Sequence, residues 1–185
     1  EAYASFDEIL KREPTNLTAH RGLVEAGYYA GKLADLERRY RELSRQNDMR
    51  GLGHYGLALL GVARGPGHKE TALAEFQKAR EQMPNEADVP YRMGLVHLMD
   101  GRYLEAEKVI AEAMKLDPDR AGIRVAYADA LVQLGREDQA IACLRRILVL
   151  SPSTDEARKA RVIAGKVFDP LRDIPPEVAT DLRNI

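Results

Sequence analysis

The sequence holds no tryptophan, three phenylalanines and a single cysteine, Cys143. One cysteine excludes an intrachain disulfide and a cysteine-based zinc site, and it fits a reducing compartment such as the cytoplasm without requiring one. No run of about 18 apolar residues occurs, so nothing in this stretch inserts into or spans a membrane. Neither sign of charge dominates: 28 basic against 29 acidic side chains leave a formal net charge of −1, which disfavours bulk nucleic-acid binding. His20, His54, His68 and His97 show no HExxH or paired-ligand spacing, and no serine stands in a G-x-S-x-G turn. The acidic residues instead scatter along helix faces beside Lys and Arg, as Glu105 does with Lys108, a pattern that supports helices and solubility. No catalytic residue, metal ligand or cofactor site emerges, and the chain reads as a non-enzyme. Its 185 residues can bury a full core, and the scarcity of large aromatics suits one built from small side chains.

What is present is organised around Tyr91 to Pro118, YRMGLVHLMDGRYLEAEKVIAEAMKLDP. Met93, Gly94 and His97 fall on one face of a first helix, where Gly94 lets a neighbour approach closely. Asp100-Gly101 breaks that helix. In the second, Ala106, Ile110 and Ala113 recur at spacings of four and three, the mark of a buried stripe, and Asp117-Pro118 ends it. Helices below about 12–15 residues rarely persist alone in water, so each needs a neighbour.

Repetition supplies the neighbours. Pro84, Pro118 and Pro152 follow one another at 34 residues. At the same period Ala72-Phe76-Ala79, Ala106-Ile110-Ala113 and Ala140-Leu144-Ile147 coincide, as do Gly101 and Gly135 in the turn. A small residue in the first helix, a Gly turn, then Ala, a large apolar residue, Ala and Pro in the second resembles the tetratricopeptide repeat over nearly the whole chain. The resemblance implies an all-α fold, a right-handed α-α superhelical solenoid of stacked helix-turn-helix repeats.

The expected solenoid covers residues 1–168. Residues 1–16 match only a second helix, through Ala2, Phe6 and Pro14, so the natural protein is expected to extend further toward its N-terminus, with additional repeats and any targeting segment outside this stretch. Repeats then run over 17–48, 49–84, 85–118 and 119–152. In the first of these Gly31 sits in the turn and Leu36, Tyr40 and Leu43 mark the second helix. Val24 takes the site that is usually small and Gly27 the one that is usually large, an exchange that conserves volume. The 49–84 repeat aligns through Leu52, Tyr55, Gly56 and Leu59, but Gly56 and Ala72 lie 16 apart where Gly94 and Ala106 lie 12 apart. The four extra residues predict a protruding loop at 64–69. Its Gly65-Pro66-Gly67 lacks the preceding strand and the Lys-Ser/Thr of a phosphate loop, and reads as a lengthened turn. Residues 153–168 supply a terminal first-type helix capped by Ser153 or Thr154. In the tail, 169–185, Val178, Leu182 and Ile185 define a short amphipathic helix expected to fold back as the cap that terminal repeats need.

In the resembling family the first helices line the concave side of the superhelix. That places Arg21, Glu25, Tyr28, His54, Leu57, Tyr91, Arg92, Leu95, Met99, Val125, Asp129, Lys159 and Ile163 along a groove whose middle, from Leu57 through Tyr91, Leu95 and Met99 to Val125, is apolar. A contiguous apolar patch rimmed by charge marks a binding surface, and the expected ligand is a protein or peptide held by Arg21, Tyr28, His54, Leu57, Tyr91, Arg92, Leu95, Met99, Val125 and Asp129. The two-carboxylate clamp of chaperone adaptors in this family finds Arg21 in place, but Glu25 stands where an Asn is needed and repels a carboxylate. Two alternatives remain. A folded partner such as a regulatory GTPase is engaged through edge loops, with the tail filling the groove, or the chain is a structural spacer within a longer array.

Overall fold

The computed structural model describes residues 1–150 and 155–165, apart from the side chains of residues 146 and 148–150. The expected Ser153 or Thr154 cap and the folded-back tail helix lie outside the described residues. Ten α-helices, packed pairwise as helix-turn-helix repeats, make up the described fold, and no strand occurs among those residues. The chain divides into two compact units, Glu1–Arg92 and Met93–Ile185.

In the first unit α1 (Ala2–Arg12) packs on α2 (Leu17–Tyr29), α3 (Leu33–Leu43) on α4 (Arg50–Ala63), α4 on α5 (Lys69–Gln82), and α2 on α4. Helix α2 begins where the Asn16 side chain accepts a hydrogen bond from the Ala19 N–H at 2.9 Å, satisfying one of the donors a helix start leaves free. Leu36 and Tyr40, one turn apart on α3, are fully buried, as are Tyr55 on α4 and Phe76 on α5. The Tyr55 and Phe76 rings meet edge to face with centroids 5.9 Å apart. A Cβ added at Gly56 falls 2.1 Å from Cδ1 of Tyr40, so the tyrosine occupies the space a side chain there needs. The Val24 and Gly27 exchange has a similar explanation: Val24 is buried, and a Cβ at Gly27 comes 2.5 Å from Leu36, which fills the room left for it. Asp7 on α1 pairs with Arg39 on α3.

The helix α6 (Asp88–Met99) leads into the second unit, where α7 (Tyr103–Leu116) packs on α8 (Ala121–Gln133), α8 on α9 (Glu137–Leu150), and α10 (Asp155–Ala164) against both α8 and α9. The core among these last three helices is small and aliphatic: Ala128, Leu131, Ala140, Leu144, Ile147, Ala157, Ala160 and Ile163. Here Gly94 plays against Ile110, whose Cγ1 lies 2.2 Å from where a Cβ at Gly94 falls.

Three inter-helix turns share one geometry. Gly31, Gly101 and Gly135 have φ of +68°, +70° and +70°. The glycine N–H donates to the carbonyl three residues back (Tyr28, Leu98, Val132), and the next residue's N–H donates to the carbonyl five back (Gly27, His97, Leu131) at 2.8–2.9 Å. This is the Schellman closure, and glycine reaches its left-handed conformation without a Cβ clash. The fourth turn differs for a covalent reason. Gly65 donates to Val62, but Pro66 follows and has no N–H to make the second bond. Gly65 instead adopts φ +99°, ψ −168°, and the chain passes through a 3-10 turn, Pro66–His68, with its residues exposed. Where a protruding loop was expected, the extra residues are divided. α4 continues seven residues past Gly56 where α6 continues five past Gly94, and the connection takes five residues instead of three.

Candidate functional site

In the first unit residues of α2 and α4 line a cleft of about 670 Å³. Arg21, Glu25 and Tyr28 recur along α2 at helical spacing and so share one face. From α4 come Leu59, Val62 and Ala63; Phe6 of α1, Val24 and Tyr29 of α2 and Arg92 of α6 also line it. The lining mixes apolar side chains, Phe6, Val24, Leu59 and Val62, with the charged Arg21, Glu25 and Arg92.

Next to these arginines lies Asp88, in the first turn of α6 and 7% exposed. Its carboxylate accepts hydrogen bonds from the Tyr55 hydroxyl, from Nε of Arg92 at 3.3 Å and from Nη1 of Arg21 at 3.5 Å. Burial, and then the neighbouring Asp88 charge, push the Tyr55 phenol well above its ordinary range, so it stays a donor. A buried carboxylate is costly unless paired and hydrogen-bonded. Two arginines and a phenol on three helices meet that need, and the arginines in turn are held in place at the cleft wall.

On the outer side Glu25 is exposed and has no hydrogen-bond or ion-pair partner among the described residues. Tyr28 and Tyr29, three and four residues on, are 53% and 81% exposed. Their rings meet edge to face at 5.4 Å, so each limits the other's motion.

The structure therefore brings Arg21, Tyr28 and Arg92 together in one cleft with Glu25. The other residues expected to line a groove are not among those lining this cleft. His54 on α4 is half-buried, its Nδ1 2.7 Å from the Glu75 carboxylate on α5. Burial opposes ionisation of Glu75, but hydrogen bonds from Lys78 and His54 hold its carboxyl below the usual range. Leu57 is half-buried, as is Tyr91, whose ring carries the Arg92 guanidinium 5.2 Å from its centroid. In the second unit Leu95 and Asp129 are half-buried, Met99 is 67% exposed and Lys159 is exposed. Val125 and Ile163 lie in the aliphatic core, where they hold α8, α9 and α10 together. Sequence reasoning missed Phe6, Val24, Tyr29, Leu59 and Val62 as cleft residues. Leu59 and Val62 had a signal, their three-residue spacing on α4. The Arg21 to Asp88 contact spans 67 residues and has none.

Among the described residues no group of three His, Cys, Asp or Glu side chains is placed to hold a metal ion. No helix among them is long and apolar enough to cross a membrane. Burial raises the Cys143 thiol, which disfavours the reactive thiolate.

Two family profiles, both described as tetratricopeptide repeat, match the chain, one over residues 97–162 and the other over 63–121. No curated protein matches it. Among solved structures it is similar to TTC0263, a thermophilic TPR protein of Thermus thermophilus, at 24% identity and a TM-score of 0.67, with 87% of this chain and 88% of that one covered. It is also similar to the TPR domain of Arabidopsis OM64, at 18% identity and a TM-score of 0.58, over 66% of this chain and 97% of that one. A third likeness is to the second TPR domain of human RPAP3, solved in complex with the HSP70 peptide SGPTIEEVD. The identity there is 20% and the TM-score 0.51, over 69% of this chain and 97% of that one.

Proposed function

The chain belongs to the tetratricopeptide repeat family, whose domains are typically non-catalytic and generally mediate protein–protein interactions, and from that premise we propose that it is a scaffold or adaptor holding a protein or peptide segment along its first-type helices. The observation that carries the proposal is the cleft of the first unit, with apolar lining from Leu59 and Val62, two arginines fixed by Asp88, and exposed aromatic rings at Tyr28 and Tyr29. Aromatic and arginine side chains beside a desolvated apolar patch are the composition of binding hot spots. His54, Leu57 and Tyr91 are proposed as further contacts, as are Leu95, Met99 and Asp129 in the second unit. The RPAP3 domain, solved with a peptide of HSP70, is a structural neighbour that supports peptide capture by this fold.

Panning the chain against a random display library of peptides tests this. Enriched peptides are expected to bind the chain but not a Tyr28→Asp variant with an unchanged thermal melt; equal binding by that variant removes the cleft from the proposal. A second reading, contact through the edge of the repeats, is favoured by the exposed Pro66–His68 turn, which departs from the other three. Under it, replacing residues 65–69 with the Gly101-type turn is the change that abolishes binding, and Tyr28→Asp is tolerated.

A further inference from the structure

We infer that the cleft of the first unit selects a segment carrying a lysine or arginine next to an apolar residue, with Glu25 as the residue that reads the cation. The inference rests on the proposed peptide-binding role and specifies the ligand's chemistry.

Four charges line or back the cleft: Arg21, Arg92, Asp88 and Glu25. Asp88 takes both arginines from behind, so half of their combined positive charge is already offset inside the protein. Glu25 has no such partner among the described residues. It shares a helix face with Arg21, one turn away, yet the Arg21 guanidinium is turned to Asp88 instead. An incoming carboxylate therefore finds two arginines whose charge is partly offset and turned toward Asp88, and a repelling Glu25. An incoming cation finds an unpaired carboxylate and two electron-rich rings, Tyr28 and Tyr29, one turn along.

The surroundings strengthen that preference. Leu59, Val62 and Ala63 line the same cleft and offer apolar contact to the methylene stem of a lysine or arginine and to its apolar neighbour. Seating that stem removes water from one side of Glu25, which raises the worth of a pair that is weak on an open surface. An ion pair of that kind together with a ring contact corresponds to roughly tenfold in Kd.

The test is a charge swap on the peptides enriched by panning. A synthetic dodecamer of the enriched consensus is labelled with fluorescein and titrated by anisotropy against the wild-type chain and against Glu25→Lys, an exposed substitution checked for an unchanged melt. The consensus is expected to contain Lys or Arg beside an apolar residue. Binding is expected to weaken roughly tenfold with Glu25→Lys, to weaken similarly when the peptide's basic residue becomes Glu, and to be partly restored when both changes are combined. An acidic consensus, or affinities indifferent to either change, overturns the inference while leaving peptide binding in place. Failure to enrich any peptide overturns peptide binding itself, and this inference with it.

Discussion

The two compact units solve the same packing problem with different chemistry. The first buries large aromatic side chains, Tyr40, Tyr55 and Phe76, and with them two polar groups, His20 at 2% and Asp88 at 7% exposure. The fully buried core of α8, α9 and α10 in the second is alanine, leucine, isoleucine and valine, with Tyr127 and Cys143 only partly buried against it. A tyrosine brings a hydroxyl that needs a partner when buried. Tyr55 finds Asp88, and the Tyr40 hydroxyl sits 3.1 Å from Nδ1 of His20, whose Nε2 lies 2.9 Å from the Pro14 carbonyl. An aliphatic core makes no such demand. The difference teaches that aromatic filling carries a polar network with it, and in this chain that network reaches the wall of the cleft.

The largest expected effect tests that dependence. Asp88→Ala leaves Tyr55, Arg21 and Arg92 without their shared acceptor and is expected to cost about 3–5 kcal/mol in urea unfolding. In the aliphatic core Leu144→Ala is expected to cost about 2–5 kcal/mol, with the sum of lost burial and residual cavity setting the value. A loss from Asp88→Ala below about 1 kcal/mol, the worth of an exposed pair, breaks the contrast. Next come the close approaches found in both units. Gly56→Val and Gly94→Val are each expected to cost about 1–3 kcal/mol through overpacking, and pairing Gly94→Val with Ile110→Ala recovers part of the loss in a double-mutant cycle. Additive losses in that cycle dissociate the glycine from its isoleucine.

A pH titration sharpens the contrast further. Burial, partly opposed by the hydrogen bond to Pro14, lowers the His20 pKa from its ordinary 6.5. The folded state then binds a proton less readily than the unfolded one. His20 contributes its full stability above pH 6.5 and loses it as the pH falls below that toward the depressed folded value. The urea midpoint is therefore expected to fall between about pH 7 and 5.5 in the wild-type chain and to stay flat in His20→Gln over that window. Glu37, held low by Arg64 and Arg41, and Glu75 lose their contributions only further down, below the ordinary 4.5. The smallest effect belongs to the turns. Gly31→Ala and Gly135→Ala are each expected to cost about 1 kcal/mol, because the left-handed backbone is retained at a Cβ clash. Pro66→Ala is expected to stay within about 0.5 kcal/mol of wild type by the same unfolding assay, as an exposed turn residue.

The family and the helical pairing were legible because they rest on local periodicity. The recurrence of Ala106-Ile110-Ala113 one period on as Ala140-Leu144-Ile147 marks buried stripes wherever it occurs. The turn glycines were legible for the same reason, since Gly101 and Gly135 stand at one register and meet the same backbone demand. The cleft was legible only in part. Arg21 and Tyr28 share a helix face that sequence can draw, and Asp88 to Arg92 is a one-turn pair. Nothing local announces that Asp88 reaches Arg21 and Tyr55, because those contacts are made by packing across three helices. Val125 shows the reverse case. Its position on the first-type helix suggested an exposed wall, yet α9 and α10 fold their alanines against α8 and bury it at 8% exposure. The four extra residues before Ala72 were countable, but their division between helix and turn follows from the missing N–H of Pro66, a detail of bonding that spacing does not carry.

The repeated turn has a consequence for how quickly the chain reaches its fold. Each of the three glycine closures is complete within six residues, since the farthest bond joins positions five apart. A hairpin of helices can therefore form its corner before any distant segment arrives, and the next hairpin can do the same without waiting for it. Little loop entropy has to be lost in a single step, which is the condition under which low-contact-order helical proteins fold in microseconds to milliseconds. The corner at Gly65-Pro66 lacks one of the two bonds, and in a kinetic measurement it is where the zippering of this chain should pause.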